Sequence, residues 1–363
     1  MRINFNGPVG QTGYGRITTF LAPALKKLGH DIYIIPAYPD ELRVAEQKVL
    51  EMVNLIEEKM LDADVSIRLS IASPSDIMSF HGKRRIMYTM LENDRLPPFW
   101  VKALNTVDDV WTLSKWGKEV FEKSGVKKDV KVVPAGVDLN LFNPWREPMV
   151  PRSDKFRFVC VGKYEHRKGY DILCKAFAEE FKQNEKAELI VMGDSIRLFD
   201  QTFNVYKELL NLRLPTDRAE FQIVEGMIPN YSDMGRLYTS ADCFVCPTRG
   251  EGWNLPLIEA MACGLPSIVT NWSAHTEFAN EKNCYLLNDF KMVPSQQKLA
   301  QLFLSFGKWA EPSIKEVKEK MRYVFDNRDE AKKLGEFASK DMKNWTWDKA
   351  AEKCSVILKE LCE

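Results

Sequence analysis

The feature that most limits the fold is an alternation of short apolar runs with amphipathic helical stretches. It is broken once by a proline-rich segment and then resumes. Strand-like runs are Arg2 to Phe5, "HDIYIIP", "ADVSIRLSI", "RRIMYTML", "DDVWTLS" and "VKVVPAG". After the first of these, Ile17, Phe20, Leu21, Ala24, Leu25 and Leu28 recur at helical spacing, and Gly29 ends the pattern. Residues 143–155, "NPWREPMVPRSDK", hold three prolines and mixed charge, the composition of a linker. Beyond it come the strand runs "FRFVCVG", "AELIVMG", "FQIVEGMI", "DCFVCPT" and "LPSIVTN", with helical stretches among them. Strands alternating with helices imply parallel sheets covered on both faces. The expected fold class is α/β, with two doubly wound Rossmann-like domains over 1–147 and 148–344. A chain of 363 residues is long enough for both.

Charge excludes some partners. Lys plus Arg and Asp plus Glu number 51 each, so no net field draws the chain to nucleic acid or to an anionic membrane. The N-terminus "MRINFNGPVG" lacks a signal-like apolar run, and no stretch has the length of a membrane span. A cytoplasmic enzyme is expected, peripheral to a membrane only if its first domain carries a basic or apolar rim. Eight scattered cysteines suit reduced core thiols. Cys243 and Cys246 have CxxC spacing, but no second ligand pair accompanies them, and "CFVC" reads as a buried strand.

Two Gly-rich loops follow strands. Gly13, Tyr14 and Gly15 precede a helix, as a phosphate-binding turn would. The third glycine of a dinucleotide fingerprint is missing, and the next strand ends in Pro36-Ala37-Tyr38 without a ribose-binding acid. A nicotinamide enzyme is therefore not expected. In the second half Lys163 follows Gly162, and Lys168 precedes Gly169. Two ammonium groups at a strand's C-terminal end suit a pyrophosphate, as ligand and as leaving group.

The segment "TRGEGWNLPLIEAMACGLPSIVTN" places Glu251 in a loop and Glu259 in the helix that follows, with Asn254 as N-cap and Pro256 in the first turn. A carboxylate in a crevice is a good acceptor for vicinal hydroxyls, so one acid can hold a hexose and the other a ribose. Taken singly, Glu251 reads as an acid favoured by a helix dipole and Glu259 as a solvated helix position.

Taken together, the segment resembles the E-x7-E signature of the retaining, nucleotide-sugar-dependent glycosyltransferases of family 4, which have the GT-B fold. "VCVGKYEHRKGYDILCKAF" is similar to that family's diphosphate motif, "VVPAGVDLNLFNP" to its stretch before the linker, and "NWTWDKAAEKC" to its closing helix. The resemblance implies a cleft between the domains and a last helix, 345–363, that returns to the first. It implies that Glu259 binds the ribose hydroxyls and that Glu251, with the amides of Gly252, Trp253, Asn254 and Leu255, meets the donor sugar. Lys163 and Lys168 would grip the diphosphate, Gly13 to Gly15 would close over it, and Met227 and Ile228 would lie near the base. The family's N-domain histidine is absent from "YTMLENDRLP". Glu92, His81 or neither is left as the acceptor contact, and His275 in "NWSAHTEF" either reaches the leaving phosphate or fills a turn.

The implied reaction moves a hexose from a UDP-glucose-type or GDP-mannose-type donor to a hydroxyl acceptor with retention. The acceptor is a glycan, a lipid-linked sugar or a small molecule, and no metal or cofactor is expected. A metal-dependent DxD reading would fall on Asp62-Ala63-Asp64, which looks instead like the start of the strand "VSIRLSI". A nucleotide-sugar 2-epimerase and a non-catalytic GT-B partner subunit are the alternatives.

Overall fold

Strand β1 (Arg2–Gly7) buries Ile3 and Phe5 completely and runs at the interior of its sheet. The structure is a computed structural model. It describes all residues except 39, 41, 43–44, 54–61, 79, 194–204, 227, 229, 297, 300–301, 304–305 and 363. The chain divides into two units. One comprises Met1–Leu91, Arg95–Gly136 and Trp345–Glu363, and the other Glu92–Asp94 and Val137–Asn344.

In the first unit, β2 (Asp31–Pro36), β3 (Val65–Leu69), β4 (Arg84–Tyr88), β5 (Asp109–Thr112) and β6 (Val130–Val132) join β1 in the order β2-β1-β3-β4-β5-β6. Every pairing between neighbours is parallel. The helix Gly13–Lys27 follows β1; Thr12 caps it by accepting from the Gly15 amide at 3.1 Å. A Cβ at Gly15 would fall 2.9 Å from the Gly10 carbonyl oxygen, so glycine there permits the tight turn before the helix. The helix Trp347–Cys362 belongs to this unit. Its Trp347 ring stacks on Phe20 at 5.5 Å, and Ser355 Oγ lies 2.8 Å from His30 Nε2. The returning helix expected from the sequence is present.

In the second unit, β7 (Phe156–Val161), β8 (Ala187–Gly193), β9 (Glu220–Glu225), β10 (Cys243–Cys246), β11 (Ser267–Thr270) and β12 (Tyr285–Leu287) form a parallel sheet in the order β12-β11-β10-β7-β8-β9. That order reverses between β7 and β10, which makes their C-terminal ends the place where such a sheet takes its ligand. Phe158, Phe177 and Phe181 fill the core beneath. Cys243 and Cys246 are buried strand residues. Residues 143–155 are tied to this unit, with Arg146 donating to the Ser232 carbonyl and the Met149 amide to the Arg236 carbonyl. The sequence reading did not foresee edge strand β12, nor an antiparallel pair, Phe290–Pro294 with Lys308–Pro312, inserted after it.

Candidate functional site

Two loops leave adjacent strands at the sheet's reversal, and the sequence forces them together. The first follows β7 and ends in the turn His166–Lys168 and Gly169. Gly169 has φ 72°, and a Cβ there would fall 2.1 Å from the Pro247 carbonyl oxygen in the second loop. Only glycine allows this approach. Arg249 then pins the loops. Its amide donates to the Arg167 carbonyl at 2.7 Å, and its guanidinium donates to the His166 carbonyl at 2.6 Å. The same guanidinium holds Asp171 at 2.9 and 2.7 Å and Glu311 at 3.0 Å. This side chain is only 2% exposed, so its fork is fully used on the loop, the next helix and the inserted strand pair.

Within this frame Glu251 lies between two cations. Lys168 Nζ stands 2.7 Å from one carboxylate oxygen and Arg167 Nη1 3.0 Å from the other. Burial alone would raise the Glu251 pKa. The charges of Lys168 and Arg167 outweigh it and push the pKa down to about 2. Arg167 also donates to the Gly250 carbonyl at 2.5 Å and to Glu165 at 3.1 Å, and lies 3.9 Å from Glu92. Burial would lower its pKa, but Glu251, Glu165 and Glu92 together raise it. The backbone of Glu251 is fixed as well. Its amide donates to Ser273 Oγ at 2.9 Å, and its carbonyl accepts from the Ala274 amide at 3.2 Å. Ser273 holds φ 76° and ψ −163°, a glycine-type conformation that costs a residue with a Cβ about 1 to 3 kcal/mol.

Asn254 caps the Leu255–Ala262 helix from a left-handed conformation, φ 82°, accepting from the Leu257 amide at 3.3 Å. Trp253 is buried, with its ring 5.0 Å from that of Phe278. Glu259 is buried rather than solvated. One carboxylate oxygen accepts from Tyr238 at 3.0 Å and the other from Tyr231. Tyr238 has no exposed surface, while Tyr231 is half-buried and sets its ring edge-on to Phe142 at 5.2 Å. Both carboxylate oxygens of Glu259, one turn into this helix, therefore face hydroxyl donors.

Of the residues singled out from the sequence, Lys168, Glu251, Gly252, Trp253, Asn254 and Leu255 fall in these two loops and the helix start. Half-buried Lys163 follows Gly162 in the first loop. Ile228 is buried in the same unit, and Met227 lies outside the described residues. Glu92 groups with the second unit. His275 is fully buried and donates Nε2–H to the Thr270 carbonyl at 2.6 Å, so this nitrogen fastens a turn. Gly13, Tyr14 and Gly15 open the first helix of the other unit. There His81 is exposed, and its carbonyl accepts from Ser66. Asp62 and Asp64 are engaged with Arg2, and Asp64 also with Lys83. Among the described residues no group of His, Cys, Asp and Glu has a metal-holding arrangement, and no helix is long and apolar enough to cross a membrane. Sequence reasoning missed Arg167, Arg249, Tyr231, Tyr238 and Ser273. The one available signal was an Arg adjoining each motif.

Two doubly wound units, the second carrying its loops at the strand reversal and the first receiving the C-terminal helix, define the GT-B class. A glycosyltransferase from Rickettsia africae ESF-5 shares this fold with a TM-score of 0.73 and 19% identity, over 100% of this chain and 98% of that one. Anabaena Alr3699/HepE, solved in complex with UDP-glucose, matches with a TM-score of 0.71 and 14% identity, over 99% of this chain and 100% of that one. Residues 155–303 match the family model described as Glycosyl transferases group 1. Spore coat protein SA of Bacillus subtilis (strain 168) is 25% identical over 271 residues, 69% of this chain and 64% of that protein, just under two thirds of its length. The chain thus has the GT-B fold, and its second unit is similar in sequence to glycosyl transferases of group 1.

Proposed function

We propose that the chain transfers a hexose from a nucleoside-diphosphate sugar to a hydroxyl acceptor with retention at the anomeric carbon, as a family 4 enzyme. The observation that carries this reading is the buried Lys168–Glu251–Arg167 group at the β7/β10 reversal, in the loop that leads into the helix carrying Glu259. In this reading the diphosphate lies against Lys163 and Lys168. Glu259 accepts from the ribose hydroxyls, with Tyr238 fixing its carboxylate from below. Glu251 accepts from hydroxyls of the sugar, and the amides of Gly252 to Leu255 line the space beside it. HepE, named as a complex with UDP-glucose, supports a donor of this kind. Glu92 and His81 are the acceptor-side candidates, and a glycan, a lipid-linked sugar or a small molecule supplies the hydroxyl.

Both glutamates are engaged in binding, so the chemistry falls to the leaving group. The bond from the anomeric carbon to the phosphate oxygen breaks. The acceptor oxygen bonds the same face of that carbon, and its proton passes to the departing phosphate. Lys163 and Lys168 stabilise the charge growing on that phosphate, which is where fixed cations lower a barrier most.

The test is the anomeric configuration of the product. UDP-glucose and GDP-mannose are each incubated with the chain in EDTA, and sugar released by transfer to water is followed by proton NMR before it mutarotates. The α-anomer is expected from whichever α-linked donor is used. A β-anomer, or turnover that requires a divalent metal, would overturn the reading. Donor altered at C2 with no transfer would point to an epimerase.

A further inference from the structure

Three non-glycine residues among those described have positive φ: Arg213, Asn254 and Ser273. Asn254 serves as a helix cap, and asparagine tolerates the left-handed region. Ser273 has neither excuse. Its φ 76° and ψ −163° belong to a region that is essentially glycine's alone. Such a conformation persists only where the surroundings over-determine it, and the surroundings here point at one residue.

Ser273 Oγ accepts from the buried amide of Glu251 at 2.9 Å. The next amide, Ala274, returns a bond to the Glu251 carbonyl at 3.2 Å. His275 then fastens the turn to the end of β11 by donating to the Thr270 carbonyl at 2.6 Å. The backbone of Glu251 is thus gripped on both sides by a turn rooted in the neighbouring strand, and its carboxylate is delivered to Lys168 at 2.7 Å and Arg167 at 3.0 Å. A glycine at 273 would satisfy the dihedral angles without strain. It would also leave the Glu251 amide without its acceptor and let the loop drift. The hydroxyl is the one thing serine adds that glycine lacks.

We propose that Ser273 is a positioning residue that holds Glu251 in register with the donor sugar, acting through Glu251 and touching no substrate itself. This rests on the reading of Glu251 as the donor-sugar contact. Catalytic geometry is sensitive to displacements of an ångström or less, so a freed Glu251 backbone reduces turnover more than it reduces nucleotide binding.

The experiment places Ser273→Gly in the wild-type chain and in Glu251→Ala. It measures kcat and donor KM from nucleotide release with UDP-glucose and GDP-mannose, and it titrates each donor and its free nucleotide by calorimetry, so that a background with little turnover is still read. In the wild-type chain Ser273→Gly is expected to lower kcat about 10-fold with donor KM changed less than about 2-fold. Its Tm stays within about 2 °C, because relief of strain offsets the lost hydrogen bond. Ser273→Ala keeps the strain, loses the bond and melts lower. In Glu251→Ala, the glycine change leaves kcat and the extra affinity for donor over nucleotide unaltered. Wild-type kcat in Ser273→Gly, or an equal loss with Glu251 absent, overturns the inference alone. Unchanged kinetics and donor affinity in Glu251→Ala would instead overturn the reading of Glu251, and the role of Ser273 with it.

Discussion

Glu251→Ala is expected to destabilise the second unit by about 3 to 5 kcal/mol and to lower kcat by about 100-fold. The stability loss follows from what is left behind. Lys168 and Arg167 are each 7% exposed, and removing the carboxylate between them takes the ion-pair partner from buried Lys168 and leaves Arg167 to Glu165 and Glu92 alone. Breaking a buried ion pair from one side is far more damaging than never having built it. Glu251→Gln keeps the shape and separates the effects. The pKa of Glu251 is depressed, so its contribution is fully present above the unfolded value near 4.5 and fades as pH falls toward about 2. In urea titrations from about pH 6 to pH 3, the wild-type chain should therefore lose stability that the glutamine variant lacks at every pH. Parallel pH profiles for the two proteins would show that the acid is not held by those cations.

The second large effect belongs to Glu259. Glu259→Ala removes the acceptor proposed for the ribose and leaves the fully buried Tyr238 hydroxyl without its carboxylate. A hydrogen bond from a hydroxyl to a charged acceptor is worth about 1.5 to 3 kcal/mol, so donor KM should rise about 10- to 150-fold while kcat falls much less. The opposite split, a collapse of kcat with KM unmoved, would mean that the acid works at the bond being broken. Tyr238→Phe should shift KM in the same direction by a smaller factor, because it leaves the carboxylate in place but lets it turn.

The sequence carried the architecture because buried parallel strands leave a direct mark. Runs such as "FRFVCVG" and "AELIVMG" are apolar on both faces, and their alternation with helices allows few topologies. The site was legible where one short segment holds several parts, as with Glu251, Asn254 and Glu259. It was illegible where a contact joins distant segments. Arg167 looked like one more basic residue in "EHRKG", and nothing local says that it meets Glu251. Tyr231 and Tyr238 stand 28 and 21 residues before Glu259, and both hydroxyls end on it. Glu259 itself read as solvated because burial of an acid depends on those partners. The conformation of Ser273 is set by what the turn must reach, and the serine letter gives no sign of it. The pair Phe290–Pro294 and Lys308–Pro312 escaped notice because "FKMVP" and "KWAEP" each carry charge and end in proline, so neither reads as a buried apolar strand.

In the proposed function, the loops at the β7/β10 reversal hold a nucleoside diphosphate through the first-loop lysines. Titration calorimetry of the wild-type chain and of Lys168→Met with UDP, GDP and ADP tests it most directly. One of these nucleotides should bind at one site per chain, with affinity falling at least about 10-fold in the variant, the loss of a charge-assisted contact to phosphate. Equal affinity in the two proteins, or no binding of any of the three, would contradict it.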